Sequence, residues 1–338
     1  MAVSKKKLSD TPWNTATFLL TKHSEDFVDG HRVKIAIVGS GYSGVAVGIA
    51  ILFKRLASEL VLIDLNEELA KAEAEDISHA AAFLGNPKII GTKGENKHSE
   101  LRRNYSLARD ATVCVITVGD KVTNRQDSSE TLKENLNIFK DMIPNVCKYA
   151  PNSVLLIITA PVNILSYAAM KLSGFPPHRV VGLGTFLDSC RFQYYIAQKL
   201  GISAKAVQAN IICEDGPMSV PIWSAVTVMG IKLRDINKDM GTKADPESWG
   251  ELHTKVIDCD SDLIARKGYS CWGTGICAAE GCRHGLEKDV YMSLPCIIGR
   301  NGIQTLLRHP YTPEEQEQTE ASCRAIYETQ KSTLNVLE

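Results

Sequence analysis

The chain lacks any pair of cysteines at Cys-x-x-Cys spacing, although it carries ten cysteines, at 114, 147, 190, 213, 259, 271, 277, 282, 296 and 323. Several fall in apolar strand-like runs, so they read as buried thiols of a reducing compartment and not as a disulfide framework. Cys271, Cys277, Cys282 and His284 cluster loosely, but their spacing fits no common zinc pattern, and no metal is expected. No apolar run approaches the length of a membrane-crossing helix, so no membrane is expected as partner. Charge of one sign is also missing: the formal net charge is −1, no basic face is legible, and nucleic acid drops out as a partner. The basic tip Met1–Leu8 has no apolar core behind it, which argues against a secretory signal. Asp10, Glu25, Asp26 and Asp29 argue against a mitochondrial presequence, leaving the cytoplasm as the expected compartment. Internal repeats and low-complexity segments are absent as well.

What is present begins at Val33. Hydrophobic residues make up 44% of 338, enough for a full core in two domains or one large α/β unit. An apolar strand, Val33–Val38, runs into Gly39, Gly41 and Gly44 at G-x-G-x-x-G spacing. A helical run follows (Ala46, Ile49, Ala50, Phe53), then a strand, Leu60–Ile63, that ends in Asp64. The first glycine permits the tight turn, the second lets a pyrophosphate approach the backbone, and the third lets helix and strand pack closely. The helix N-terminus offers its N–H groups and partial positive charge to the phosphates. Asp64 can accept bonds from ribose hydroxyls and would repel a 2′-phosphate, favouring NAD over NADP. Two bland alternatives are a β-α-β unit whose glycines only make a turn, and an intact fold whose site is empty.

Strand-like and helical patterns then alternate. Glu67–Leu84 reads as helix, Val113–Val118 as a buried strand ending in Gly119, and Thr131–Tyr149 as helix. Val154–Ile158 is a strand, Asn163–Leu172 a helix and Val180–Gly182 a strand. Continuous apolar strands between helices predict a doubly wound parallel sheet of the Rossmann type, with its site at the carboxyl ends of the strands. Val118 and Gly119, at one such end, join Gly39, Gly41, Gly44 and Asp64 as candidate cofactor-binding residues. Past Gly182 the pattern changes. Helix is predicted over Phe186–Leu200, Pro246–Lys267 and Pro313–Leu334, with β segments around Val207–Cys213 and Trp223–Val228. The expected organisation is an N-terminal arm (1–31), a dinucleotide-binding domain (32–181) and an α+β C-terminal domain (182–338). Trp223 and Trp272 read as core or interface aromatics. His79, His178 and His253 read as surface or packing residues.

Several stretches carry a family resemblance: Asn135-Leu-Asn-Ile-Phe-Lys, Pro161-Val-Asn-Ile-Leu, Leu187-Asp-Ser-Cys-Arg-Phe, Ser219-Val-Pro-Ile-Trp-Ser, Lys267-Gly-Tyr and Ser293-Leu-Pro-Cys-Ile-Ile-Gly. By these the chain resembles the lactate dehydrogenase family, nearly end to end. The resemblance implies a cytosolic, homotetrameric, NAD-dependent enzyme interconverting L-lactate and pyruvate. It implies a histidine acid/base held by an aspartate, an arginine clamping the substrate carboxylate, and a loop arginine polarising the carbonyl. Asp188 matches the orienting aspartate and Arg191 the clamp. The histidine of the family's Gly-Glu-His-Gly-Asp is Asp215 here, in Cys213-Glu-Asp-Gly-Pro217. The polarising arginine aligns with Ser128, with Arg125 three residues earlier. The asparagine of Ser-Asn-Pro is Ala160, and a nearby threonine is Ser270. Between Trp272 and Val290 the chain is shorter than the family by about a helix and a strand, so the C-terminal domain is expected to be shortened.

Reducing a ketone by hydride leaves charge on oxygen, which needs a proton donor with a pKa near the working pH and a fixed cation. A histidine, near 6.5, suits the first role. An aspartate near 3.9 would be ionised and would repel a 2-oxo acid; burial beside Asp188 could raise its pKa, since two carboxylates sharing a site resist double ionisation, and Arg191 would push it back down. The expectation is that Asp215 pairs with Arg191 and plugs the anion site from within. Three readings compete. One is a degenerate homologue that still holds NAD. Another is a structural component of a larger assembly reusing the fold. The third is a divergent dehydrogenase in which Asp215, Arg125 or His284 takes a new role.

Overall fold

The computed structural model describes residues 33–92, 105–119, 128–280, 284–287, 290–307 and 309–337. The expected N-terminal arm, Arg125 and Cys282 lie outside the described residues. Six parallel strands form the central sheet: β1 (Lys34–Val38), β2 (Glu59–Ile63), β3 (Lys88–Thr92), β4 (Val113–Ile116), β5 (Val154–Ile157) and β6 (Val180–Gly182). Their spatial order is β3-β2-β1-β4-β5-β6. Strand order reverses between β1 and β4, and the crevice at that switch point is where an open α/β sheet binds its ligand. Four helices cross between these strands: α1 (Tyr42–Phe53), α2 (Glu67–His79), α3 (Ser128–Tyr149) and α4 (Val162–Ser173).

Alternation along each strand makes two separate cores. Ala36, Val38, Cys114, Ile116, Leu155 and Ile157 pack with Phe139, Ile143 and Leu165 of α3 and α4. Their chain neighbours Ile35, Ile37, Val115 and Leu156 face the other way, onto Val47 and Ile51 of α1 and Ala70 and Ala74 of α2. Because successive side chains leave a strand on opposite faces, strands covered on both sides read as unbroken apolar runs.

The second half contains α5 (Phe186–Leu200), α6 (Glu251–Lys267), α7 (Trp272–Glu280) and α8 (Pro313–Leu337). Its largest sheet is antiparallel, in the order His284–Glu287, Val290–Ser293, Ile211–Cys213, Ser219–Pro221. The described residues from Val33 onward form one compact unit. Among the described residues no helix is long and apolar enough to cross a membrane.

Three expected elements change. The helix expected from Pro246 begins at Glu251. The Asp245 carboxylate accepts from the backbone N–H groups of Gly241 (3.0 Å), Glu247 (3.1 Å) and Trp249 (3.0 Å), which holds the chain in turns until that point. Within Trp223–Val228, residues Trp223–Ala225 form a 3-10 turn and only Thr227–Val228 pair as strand. The Trp223 ring is buried edge-on against Phe192, at 4.8 Å between centroids. The helix expected over Glu67–Leu84 stops at His79, and edge strand β3 was not expected. A Cβ on its Gly91 would lie 1.9 Å from the Ala70 carbonyl oxygen, so α2 crosses this strand at backbone contact. Trp272 is not core: it is 54% exposed at the start of α7.

Candidate functional site

The glycine turn follows β1. Gly39 has φ +107°, a backbone that side chains rarely adopt, and a Cβ there would lie 2.6 Å from Thr117 Oγ1. Its N–H donates to the Ile63 carbonyl (2.8 Å), fastening the turn to β2. A Cβ on Gly44 would lie 1.9 Å from the Gly39 carbonyl oxygen, so only glycine lets α1 start this close to the strand. Around Gly41 a Cβ would meet nothing within 4 Å, which leaves open space on the approach to the backbone. Gly41 caps α1 without a side-chain hydrogen bond, and a helix N-terminus presents N–H groups suited to an anion.

Asp64 stands at the end of β2. Its Oδ2 accepts from the Ser40 N–H (2.6 Å) and its Oδ1 from the Asn66 N–H (2.9 Å), so the carboxylate is held against the glycine turn. Val118 and Gly119 follow β4, the neighbour of β1. The Val118 carbonyl accepts from Thr159 Oγ1 (2.8 Å), and a Cβ on Gly119 would lie 2.5 Å from Thr159 Cγ2. The structure thus gathers Gly39, Gly41, Gly44, Asp64, Val118 and Gly119 at the carboxyl ends of β1, β2 and β4. Open space at Gly41, an uncapped helix start and an anchored carboxylate fit a dinucleotide.

The second cluster is built from side chains. Helix α5 places Asp188 and Arg191 on one face by i,i+3 spacing, with Asp188 Oδ1 accepting from Arg191 Nη1 at 2.9 Å. Arg191 also binds Asp260 of α6 with two parallel bonds: Nη1 to Oδ2 at 3.1 Å, and Nη2 to Oδ1. Ser270 Oγ, just past α6, donates to the same Asp260 Oδ1 at 2.7 Å. Burial opposes the Arg191 charge, but its bonds to Asp260 and the charge of Asp188 keep the guanidinium pKa above its usual value. Burial likewise pushes the Asp188 carboxyl up, against the pull of Arg191 and with the help of Asp260.

Asp215 corrects one expectation. It does not pair with Arg191: its hydrogen bond runs to Asp188, and the bidentate position on the guanidinium belongs to Asp260. The residue is exposed, with its carboxyl beside those of Asp188 and Asp260 and the Arg191 guanidinium. Burial and the charges of Asp188 and Asp260 push its pKa up to about 8, outweighing Arg191. Two carboxyls sharing one proton cannot easily both ionise. The chain reaches Asp215 through Cys213, buried and at φ +74°.

Ala160 follows β5 and is exposed, with its carbonyl accepting from Asn135 Nδ2 at 3.3 Å. Ser128 opens α3, and its side chain lies outside the described residues, as does that of His284. His253 makes a contact that the sequence did not suggest: its Nε2 lies 2.8 Å from Ser219 Oγ, and burial pushes its pKa down to about 4. The tyrosine after the glycine turn, Tyr42, stacks on Tyr269 at 4.8 Å, bringing the start of α1 beside the segment that carries Ser270.

Comparison with known proteins agrees with both halves. Residues 33–182 match the lactate/malate dehydrogenase NAD binding domain, and residues 185–284 the lactate/malate dehydrogenase alpha/beta C-terminal domain. L-lactate dehydrogenase A-like 6A of Homo sapiens is 38% identical over 320 residues, covering 89% of this chain and 93% of that protein. The L-lactate dehydrogenase A chain of Danio rerio is 36% identical over 337 residues, covering 94% and 98%. L-lactate dehydrogenase of Petromyzon marinus is 37% identical over 322 residues, covering 90% and 93%. With the glycine turn, the strand order and these likenesses together, the chain belongs to the lactate/malate dehydrogenase family.

Proposed function

We propose that this protein holds NAD or NADH at its glycine turn and does not turn over lactate or pyruvate. The observation that carries the second part is the carboxyl of Asp215 set beside that of Asp188, where the family resemblance places the acid/base histidine. An imidazolium has two N–H groups, so a histidine can bond its orienting aspartate with one and offer the other to substrate. A carboxyl has one proton. Once Asp215 shares it with Asp188, none faces a reacting carbonyl. Alanine at position 160 and serine at position 128 remove further polar groups that the family resemblance places at the reacting carbonyl.

Gly39, Gly41 and Gly44 would cradle the pyrophosphate, and Asp64 would face a ribose. The bound cofactor would supply hydride chemistry. This chain's residues would orient it and leave the proton on the Asp215–Asp188 pair. Homo-oligomeric assembly belongs to the same reading, supported by exposed Phe53, Trp272 and Ile276 on the packed helices α1 and α7.

Fluorescence titration with NADH tests the reading, with a pyruvate turnover assay and light scattering on the same preparation. Saturable NADH binding is expected, with turnover roughly a thousandfold or more below that of an active relative, because acid and polariser act as a unit. Absence of NADH binding, or turnover at an ordinary rate, overturns it. A divergent dehydrogenase is the second reading. The raised pKa of Asp215 favours it, since a carboxyl protonated at neutral pH can serve as a general acid. Oxidation of NADH by a carbonyl compound other than pyruvate would support it.

A further inference from the structure

We infer that Asp260 is a built-in occupant of the anion site: its carboxylate sits on Arg191 and Ser270 as the carboxylate of a small acid would, and closes the site to 2-oxo acids. The inference deepens the proposed function and rests on its placing of the disarmed half around Arg191.

Three observations carry it. The first is geometry. Asp260 meets Arg191 fork to fork, with Oδ2 on Nη1 (3.1 Å) and Oδ1 on Nη2, the arrangement in which a guanidinium recognises a carboxylate ligand. Ser270 Oγ completes the set on Oδ1 at 2.7 Å. The second is layering. The Arg191 side chain is 11% exposed and that of Asp260 is 46% exposed, so Asp260 covers the guanidinium from the solvent side. Asp188 holds the inner side at 2.9 Å. An incoming acid therefore reaches Arg191 only by displacing Asp260. The third is charge. One guanidinium faces Asp188, Asp215 and Asp260, so even with one proton shared between Asp188 and Asp215 the cluster repels a further anion.

A site whose open form is rarely populated binds its ligand more weakly by that fraction. Asp260 is tethered, so its local concentration exceeds that of a dissolved competitor. Removing it leaves Arg191 oriented by Asp188 and removes one negative charge. The site then accepts a small monocarboxylate.

The test is pyruvate binding to the full chain, followed by ligand-observed NMR in a carboxylate-free buffer, with and without NADH. Asp260→Ala is expected to bind pyruvate roughly ten- to a hundredfold more tightly than the unaltered chain. Asp260→Asn, which keeps the volume and loses the charge, falls between them and guards against a folding failure in the alanine variant. Asp262→Ala, whose partner is Arg266 on the helix surface, binds as the unaltered chain does. Equal pyruvate affinity in the unaltered chain and both Asp260 variants, or no binding by either variant, overturns the inference. NADH affinity measured on the same samples separates the two claims. Its loss overturns cofactor holding and leaves the pyruvate comparison intact.

Discussion

At the glycine turn the contacts are made mainly by backbone. The Gly39 N–H reaches the Ile63 carbonyl, the Ser40 N–H reaches Asp64, and Gly44 is fixed by what its missing Cβ avoids. Around Arg191 the contacts run from side chain to side chain: Asp188, Asp260, Ser270 and Asp215. The difference governs what a substitution can do. A backbone turn tolerates one residue type at a strained or crowded position, so change there is all or nothing. A cluster of flexible side chains can be rewired by one new carboxylate while the helices beneath it stay in place. The two halves of one fold are therefore held by constraints of different kinds.

The comparison can be broken first at Gly44. Gly44→Ala puts a Cβ 1.9 Å from the Gly39 carbonyl oxygen. We expect a loss of about 3 kcal/mol or more of stability together with loss of NADH binding, read by urea unfolding and fluorescence titration. A variant that keeps both would show that the turn is more pliable than its geometry.

A smaller effect is expected at Asp215, and it depends on pH. The folded carboxyl holds its proton up to about 8, against an ordinary value of 3.8. Its stabilising contribution is thus whole below about pH 4 and is lost as pH rises towards 8. Asp215→Asn donates to Asp188 from an amide at every pH. The variant should melt above the unaltered chain at pH 8, with the gap closing as pH falls to 4. A pH-independent gap would show that no proton is shared. The smallest effect is expected at Ser270. Ser270→Ala loses one hydrogen bond to Asp260 while the bidentate pair remains, costing about 1 kcal/mol, read as a shift in the urea midpoint.

These constraints also explain what the sequence made legible. Glycine spacing reports backbone geometry directly, so the turn and Asp64 stood out, as did the apolar runs of β1, β2, β4 and β5. The i,i+3 pair Asp188–Arg191 was legible through the family resemblance. Asp260 was not: it lies between Asp258 and Asp262 in a helix where acidic residues look like a solvated face. Only the packing of α6 on α5 selects which of them meets the guanidinium. Edge strand β3 was hidden because Lys88 and Gly91 interrupt its apolar pattern, although Gly91 is itself the sign of a helix crossing at backbone contact. The raised pKa of Asp215 was legible only as one of two opposed outcomes, Asp188 pushing up and Arg191 pushing down, because the balance between such neighbours is set by tertiary structure.

The fork between Arg191 and Asp260 has a consequence for how this protein meets its surroundings. A pocket that waits for a solute grows firmer as the solute accumulates and slackens as it is consumed, so such a protein's durability follows the chemistry of the cell. Here the acid is part of the polypeptide and is present at one fixed stoichiometry from the moment the chain folds. Helices α5 and α6 are joined by a partner that cannot be diluted away, and their cohesion is the same in a starved cell as in a fed one.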